Sequence, residues 1–116
     1  MTLRRLSVGE NGAAYLEAWD PELTPENPGP GELSVSAPLK AAACFVVRGI
    51  AGNGHPEQPE DGRRLVVGLS GECEVTASGE TVVLRAGDVL LVEDTYGTGH
   101  SSRSDTGFEG LMIVLE

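Results

Sequence analysis

His55 and His100 are the only histidines in the chain, and imidazole is the side chain best suited to ligate a metal or to move a proton near neutral pH. His100 follows Gly97-Thr98-Gly99, where glycine on either side of the threonine lets the backbone bend tightly before the ring is delivered. It is read as a metal ligand or an acid–base group, the alternative being an imidazole that only hydrogen-bonds inside a core. Just upstream, Glu93 and Asp94 close an apolar run. Neighbouring strand residues point to opposite faces, so only one of this pair faces inward. Glu93 is taken as that one, because a carboxyl buried beside His100 would have a raised pKa and would serve as general acid or base. In the alternative, the pair caps the following turn through backbone N–H groups.

His55 opens the stretch His55-Pro56-Glu57-Gln58-Pro59-Glu60-Asp61. If this Pro-rich segment carries an insertion of two or three residues, His55 and Glu57 face inward with His100. The three then complete a two-histidine, one-carboxylate set suited to Fe(II) or another divalent ion. Otherwise His55 is a surface loop residue, and Glu57, Glu60 and Asp61 form a solvated turn. Arg48, Arg63 and Arg64 are the cationic residues of the strand-like stretches, and an inward guanidinium is a bidentate partner for a carboxylate ligand. Arg48 and Arg64 are taken as ligand-binding candidates; Arg63 and Arg64 are adjacent and cannot both be inside. Outward ion pairs with the abundant acids are the competing reading. Tyr96 and Trp19 stand out in a chain that is 4% aromatic. Both are read as contacts at a pocket mouth, although packing under the N-terminal segment accounts for Trp19 equally well. No nucleophile-elbow sequence surrounds Ser70, Ser78, Ser101 or Ser102, and no phosphate-cradling glycine loop opens a helix.

The elements that must hold these groups are strands. From Cys44 onward, short Val- and Leu-rich runs alternate with Gly-bearing turns at intervals of roughly 8 to 12 residues, the spacing of sandwiches and barrels. Strands are expected at Cys44 to Ile50, Arg63 to Leu69, Glu72 to Ala77, Thr81 to Leu84, Asp88 to Val92, Gly99 to Ser104 and Phe108 to Leu115. The expected turns are Ser70-Gly71, Ser78-Gly79, Ala86-Gly87 and Asp105-Thr106-Gly107. Runs such as Leu65-Val66-Val67 and Val89-Leu90-Leu91-Val92 are apolar at consecutive positions, so both faces need cover. The second layer would be the N-terminal arm, another sheet or a partner subunit. Ala13 to Trp19 reads as a strand or one helical turn, after which Pro21, Pro25, Pro28 and Pro30 are expected to break regular structure until about Leu33. No window shows sustained helical periodicity.

With 116 residues the chain is sized for one core, divided here into an arm (1–32) packing on a barrel domain (33–116). Eighteen acidic against eight basic residues give a net charge of −10, which disfavours nucleic acid and anionic membrane as partners. The absence of a long apolar run or a signal-like start leads to an expected cytoplasmic location. Cys44 and Cys73 lie in strand-like apolar surroundings and are read as small buried thiols rather than a bridge.

The segment from Arg85 to His100, Arg-Ala-Gly-Asp-Val-Leu-Leu-Val-Glu-Asp-Thr-Tyr-Gly-Thr-Gly-His, resembles the second motif of the cupins. More narrowly it is similar to a group of small cupins marked by Gly-Asp, four apolar residues, Glu-Asp-Thr and Gly-x-Gly-His. The turns at Leu69-Ser70-Gly71-Glu72 and Ser78-Gly79-Glu80 fit that group, as does Ser34 to Leu39, so the resemblance covers about two thirds of the chain. It implies an all-β fold, the double-stranded β-helix or jelly-roll barrel with an N-terminal arm, a small-molecule cavity and a homodimer. Metal-binding cupins use the histidine of this motif as a ligand, which implies that role for His100. The first motif departs from the pattern: counted back from Gly71, Arg64 falls at the carboxylate position and Glu57 to Pro59 at the histidine positions, and a cation there would repel a metal.

The expected function is small-molecule binding in the barrel by an isomerase, cyclase or lyase type of enzyme, working without metal or with an atypical one. Two alternatives stand beside it. One is a metal-dependent oxygenase using His55, Glu57 and His100, and the other is a non-catalytic binding or sensing module. The cofactor is accordingly none or a single divalent ion, Fe, Mn, Ni or Zn.

Overall fold

Runs of β-branched and aliphatic residues bounded by turn formers become strands throughout the chain, as their pleat-filling shapes favour. The computed structural model describes residues 2–26 and 29–116, and among these it contains no helix. The strands are β1 (Leu3–Val8), β2 (Ala14–Ala18), β3 (Leu23–Glu26), β4 (Leu33–Ser36), β5 (Ala41–Gly49), β6 (Asn53–Gln58), β7 (Arg64–Gly71), β8 (Cys73–Ala77), β9 (Glu80–Leu84), β10 (Val89–Val92), β11 (His100–Ser104) and β12 (Phe108–Leu115).

These strands form a six-stranded sheet in the order β2-β1-β10-β7-β12-β5, a four-stranded sheet in the order β6-β11-β8-β9, and the separate hairpin β3-β4. The two larger sheets share no ladder. They meet through side chains instead: Leu6, Ala14, Leu90, Val92 and Phe108 from one sheet and Val75, Ala77 and Leu84 from the other form a single buried cluster. The expected barrel is therefore a jelly roll of facing sheets, in which the inward residues of both layers make the core. Ser78 and Gly79, at φ 49° and 77°, give the β8–β9 hairpin the left-handed turn residues that match strand twist.

All seven expected strand segments are strands. The Ser70-Gly71 turn is displaced, since β7 runs through Gly71 and β8 resumes at Cys73. Nearer the N-terminus, Ala14–Ala18 is a strand, and Pro25 lies inside β3, which pairs with β4. Proline is tolerated there because a two-stranded hairpin leaves each strand an outward edge with no ladder to interrupt. Pro28 lies outside the described residues. β1 joins the six-stranded sheet by a parallel ladder on β10, with Leu6 opposite Val92. β2 continues the sheet from β1, with Val8 opposite Ala14.

Both cysteines are free, Cys73 half-buried and Cys44 exposed. The expectation of a buried Cys44 fails because β5 is the edge of its sheet, where Phe45 and Val46 are also exposed. Among the described residues no helix is long and apolar enough to cross a membrane.

Candidate functional site

Alternation along β10 builds the site. Leu90 and Val92 face the interior between the sheets, and two residues further the same phase carries Asp94 inward, where it is fully buried. Glu93 is thereby turned to the outside, where it pairs with Arg63 (Nε to Oε2, 2.9 Å) and approaches Arg5. The chain then loops through Gly97 and Gly99 and returns as β11. Gly99 has φ +76°, and a Cβ there would lie 2.0 Å from the Gln58 carbonyl carbon. Only glycine allows the loop to pass so close to the end of β6. This approach delivers the His100 ring, 5% exposed, onto Asp94.

Asp94 Oδ2 accepts a hydrogen bond from His100 Nδ1 at 2.5 Å. An ionised carboxylate only accepts, so Nδ1 is the donor of this pair and Nε2 is the nitrogen turned toward Glu60 and the cavity. His55 is held comparably, its Nδ1 donating to the Pro56 carbonyl at 2.8 Å, which leaves its own Nε2 free. The two rings meet edge to face with centroids 4.9 Å apart.

A β-bulge brings in the third group. β11 pairs His100 with Gln58 but Ser102 with His55, so one extra residue of β6 is accommodated between them. The bulge changes the strand's phase: Asn53 and His55 face the cavity before it, and Gln58 and Glu60 after it. Glu60 is fixed further by its backbone N–H, which donates to the Asp94 carbonyl at 3.0 Å. Its Oε2 lies 3.8 Å from His100 Nε2. One donor atom each from His55, Glu60 and His100 falls within 4.8 Å of the others. Two imidazoles with their Nδ1–H groups already engaged, plus one carboxylate oxygen, are a donor set that fits a divalent transition metal.

Arg64 enters the same space from β7. Its Nε is 3.2 Å from Glu60 Oε1, close enough for Coulombic attraction, but the N–H is not aimed at that oxygen and finds no acceptor. The cavity measures about 290 Å³. Val47, Val66, Phe108 and Met112 of the six-stranded sheet and Val75 and Leu84 of the other supply its apolar lining, with Asn53, Gln58 and Ser102 among its polar residues. Cys73 also borders it, and burial pushes its thiol pKa up.

No protein-family model and no curated protein matches the chain. Solved structures do match. A cupin superfamily protein from Desulfitobacterium hafniense is 21% identical with a TM-score of 0.54, over 85% of this chain and 82% of that one. This chain has the cupin fold. It is also similar to a protein described as a predicted oxalate decarboxylase from Thermotoga maritima, 25% identical, TM-score 0.51, over 82% of this chain and 95% of that one. A conserved protein of unknown function from Streptococcus pyogenes matches at 20% identity, TM-score 0.55, over 70% and 69% of the two chains.

In this cupin fold the structure brings together His100, His55 and Arg64 of the residues singled out from sequence. Glu57 is not among them: it is exposed, because the bulge that follows His55 hands the inward phase to Glu60. Glu93 likewise gives way to Asp94. Arg48 is an exposed partner of Glu109 at 2.7 Å, its strand being the outer edge of the sheet. Tyr96 is 63% exposed on the loop before His100. Trp19 is half-buried just beyond β2, its backbone N–H bonded to the Leu3 carbonyl, and it does not border the cavity. The choice of Asp94 over Glu93 had no signal in the sequence, because Val89 to Val92 is apolar at every position and shows no phase. Glu60 carried only one signal, a proline inside a strand, which marks a bulge or an edge.

Proposed function

We propose that this cupin holds a divalent metal ion on His55, Glu60 and His100 and presents it to a small molecule in the cavity. The observation that carries the reading is the convergence of those three donors within 4.8 Å. Bound there, the ion would supply Lewis-acid polarisation of a ligand oxygen or, as Fe(II), the chemistry of a facial-triad oxygenase. The chain's own residues do the rest. Asp94 orients His100, Glu60 divides its two oxygens between Arg64 and the cavity, and Val47, Val66, Phe108 and Met112 line its apolar part.

Elemental analysis of protein purified without chelator, followed by calorimetric titration with Fe(II), Mn(II), Ni(II) and Zn(II), tests this. One ion per chain is expected, lost in Glu60→Gln and in His100→Ala but kept in Glu57→Gln. A stoichiometry well below one with every ion overturns the proposal.

A second reading keeps His100 as a metal-free acid–base group in an isomerase, cyclase or lyase. The Arg64–Glu60 pair favours it, since a guanidinium already offsets the carboxylate that an ion would need. Turnover of a bound compound that survives exhaustive chelation and disappears in His100→Ala would establish it, whereas loss of turnover on chelation removes it.

A further inference from the structure

The hydrogen bond between Asp94 and His100 joins groups on different sheets. Asp94 follows β10 of the six-stranded sheet, His100 opens β11 of the four-stranded one, and the two sheets share no ladder. Strand pairing between them therefore does not bring the two side chains together. The bond from the Glu60 N–H holds Asp94, and the path of the connecting residues 95–99 decides where His100 arrives. Thr95 to Thr98 are exposed, so burial does not fix that path, and an exposed loop is mobile unless something else holds it.

The turn between β1 and β2 does so. The Thr98 N–H donates to the Gly12 carbonyl at 3.0 Å, and Thr98 Oγ1 accepts from the Ala14 N–H at 3.3 Å. A Cβ at Gly97 would lie 2.1 Å from the Gly12 oxygen, so the loop lies directly on the turn. The turn is itself closed, by the Gly12 N–H on the Gly9 carbonyl and the Gly9 N–H on the Ala13 carbonyl, both at 2.9 Å. Ala14 is fully buried, and its carbonyl accepts from Ser78 Oγ of the β8–β9 turn at 2.5 Å. A line of hydrogen bonds thus crosses from Ser78 on the four-stranded sheet through Ala14 to Thr98, and ends two residues before His100.

Resting on the metal reading above, we infer that Thr98 is a positioning residue of the metal site: clamped on the β1–β2 turn, it directs the loop that carries His100 onto Asp94 and toward His55 and Glu60.

Thr98→Val keeps the shape of the side chain and removes its oxygen, whereas Thr98→Ser keeps the oxygen. Two readouts on the full chain compare them. Nitrogen-15 NMR of the metal-free protein follows the His100 Nδ1–H, whose 2.5 Å bond to a buried carboxylate gives a far-downfield proton signal. Calorimetric titration follows Ni(II). In Thr98→Val the Nδ1–H signal is expected to move upfield or broaden away, and Ni(II) to bind about tenfold more weakly, the lower end of the range for groups that orient a metal ligand. Thr98→Ser should restore both. Ser70→Ala, which removes a hydroxyl bond to Glu109 outside this line, should change neither. Circular dichroism checks folding. If Thr98→Val does not fold, Asn11→Ala replaces it: Asn11 is exposed, its Oδ1 accepts from the Ala13 N–H at 3.0 Å, and its loss should loosen the turn with a smaller effect in the same direction.

An unchanged ring signal and unchanged Ni(II) affinity in whichever variant folds overturns the assignment. So does a Thr98→Ser chain that behaves like Thr98→Val, because the hydroxyl would not then be what holds the loop. Where Ni(II) binds, a change in one readout without the other overturns it as well, since the loop would not act on the metal through His100. The metal reading fails separately: if Ni(II) does not bind the wild type, that reading is lost, and the Nδ1–H signal of the metal-free chain still decides whether Thr98 positions the ring.

Discussion

Asp94 stands directly behind His100, its Oδ2 2.5 Å from the ring Nδ1 and its side chain wholly removed from solvent. The carboxylate decides which nitrogen of His100 is free. Asp94→Asn nearly preserves the shape but replaces a pure acceptor with an amide, so the tautomer and ring orientation are no longer enforced. Metal affinity is expected to fall by about 10- to 100-fold, measured by competition with a chromogenic chelator.

The Gly99 approach to β6 gives a second expectation. Alanine at this position is strained at φ +76° and would collide with the Gln58 backbone, so a loss of more than about 1 kcal/mol is expected, with His100 displaced. At Gly62, where an added Cβ meets nothing within 4 Å, alanine should change stability by no more than about 0.5 kcal/mol. Urea unfolding of the two variants reads the difference.

The thiols should report cavity occupancy. Cys44 is exposed, whereas burial raises the Cys73 pKa and so lowers the fraction of reactive thiolate. Iodoacetamide at pH 8, applied at a dilution where the chain is monomeric and β5 is uncovered, is expected to modify Cys44 first and Cys73 slowly, as mass spectrometry would show. A ligand filling the cavity should slow Cys73 further and leave Cys44 unaffected.

Asp88 gives a pH dependence of definite sign. Its carboxylate accepts from the backbone N–H of Arg85 at 2.9 Å and of Thr2 at 3.0 Å, and the Arg85 contact foremost holds its pKa below the usual value. A depressed folded pKa contributes stability that is complete above the unfolded value, about 4, and is lost as the pH falls through the lower folded value. Thermal melts should therefore show the wild type losing more stability than Asp88→Asn between pH 5 and pH 2, a range set by these values at roughly one to two units either side.

Self-association is expected through β5, an edge strand with exposed Phe45 and Val46 and, on one side, no ladder partner among the described residues. Such an edge pairs readily with a second copy of itself. Light scattering at micromolar concentration should report a dimer, and Val46→Glu should shift it toward monomer. A wild-type monomer at that concentration would remove the expectation.

Local pattern carries only so far into this site. The β segments from β7 to β12 were legible because alternating and continuous apolar runs between glycine turns leave few other structures open, and the Gly-x-Gly-His run marked His100. Arg64 was placed as one of two adjacent arginines of which only one turns inward. The choices that failed were choices of phase. Glu93 against Asp94 was settled by which face of β10 meets the opposite sheet, and Glu57 against Glu60 by a one-residue bulge beside β11.

By itself, then, the sequence determined that this chain is built of strands, that few of its residues are able to do chemistry, and that one histidine is delivered by a glycine-flanked loop. Tertiary structure alone decided which carboxylates reach that histidine. A single step of register reverses the direction of every side chain in a strand, and register is set by pairing with residues distant in the chain rather than by neighbours along it.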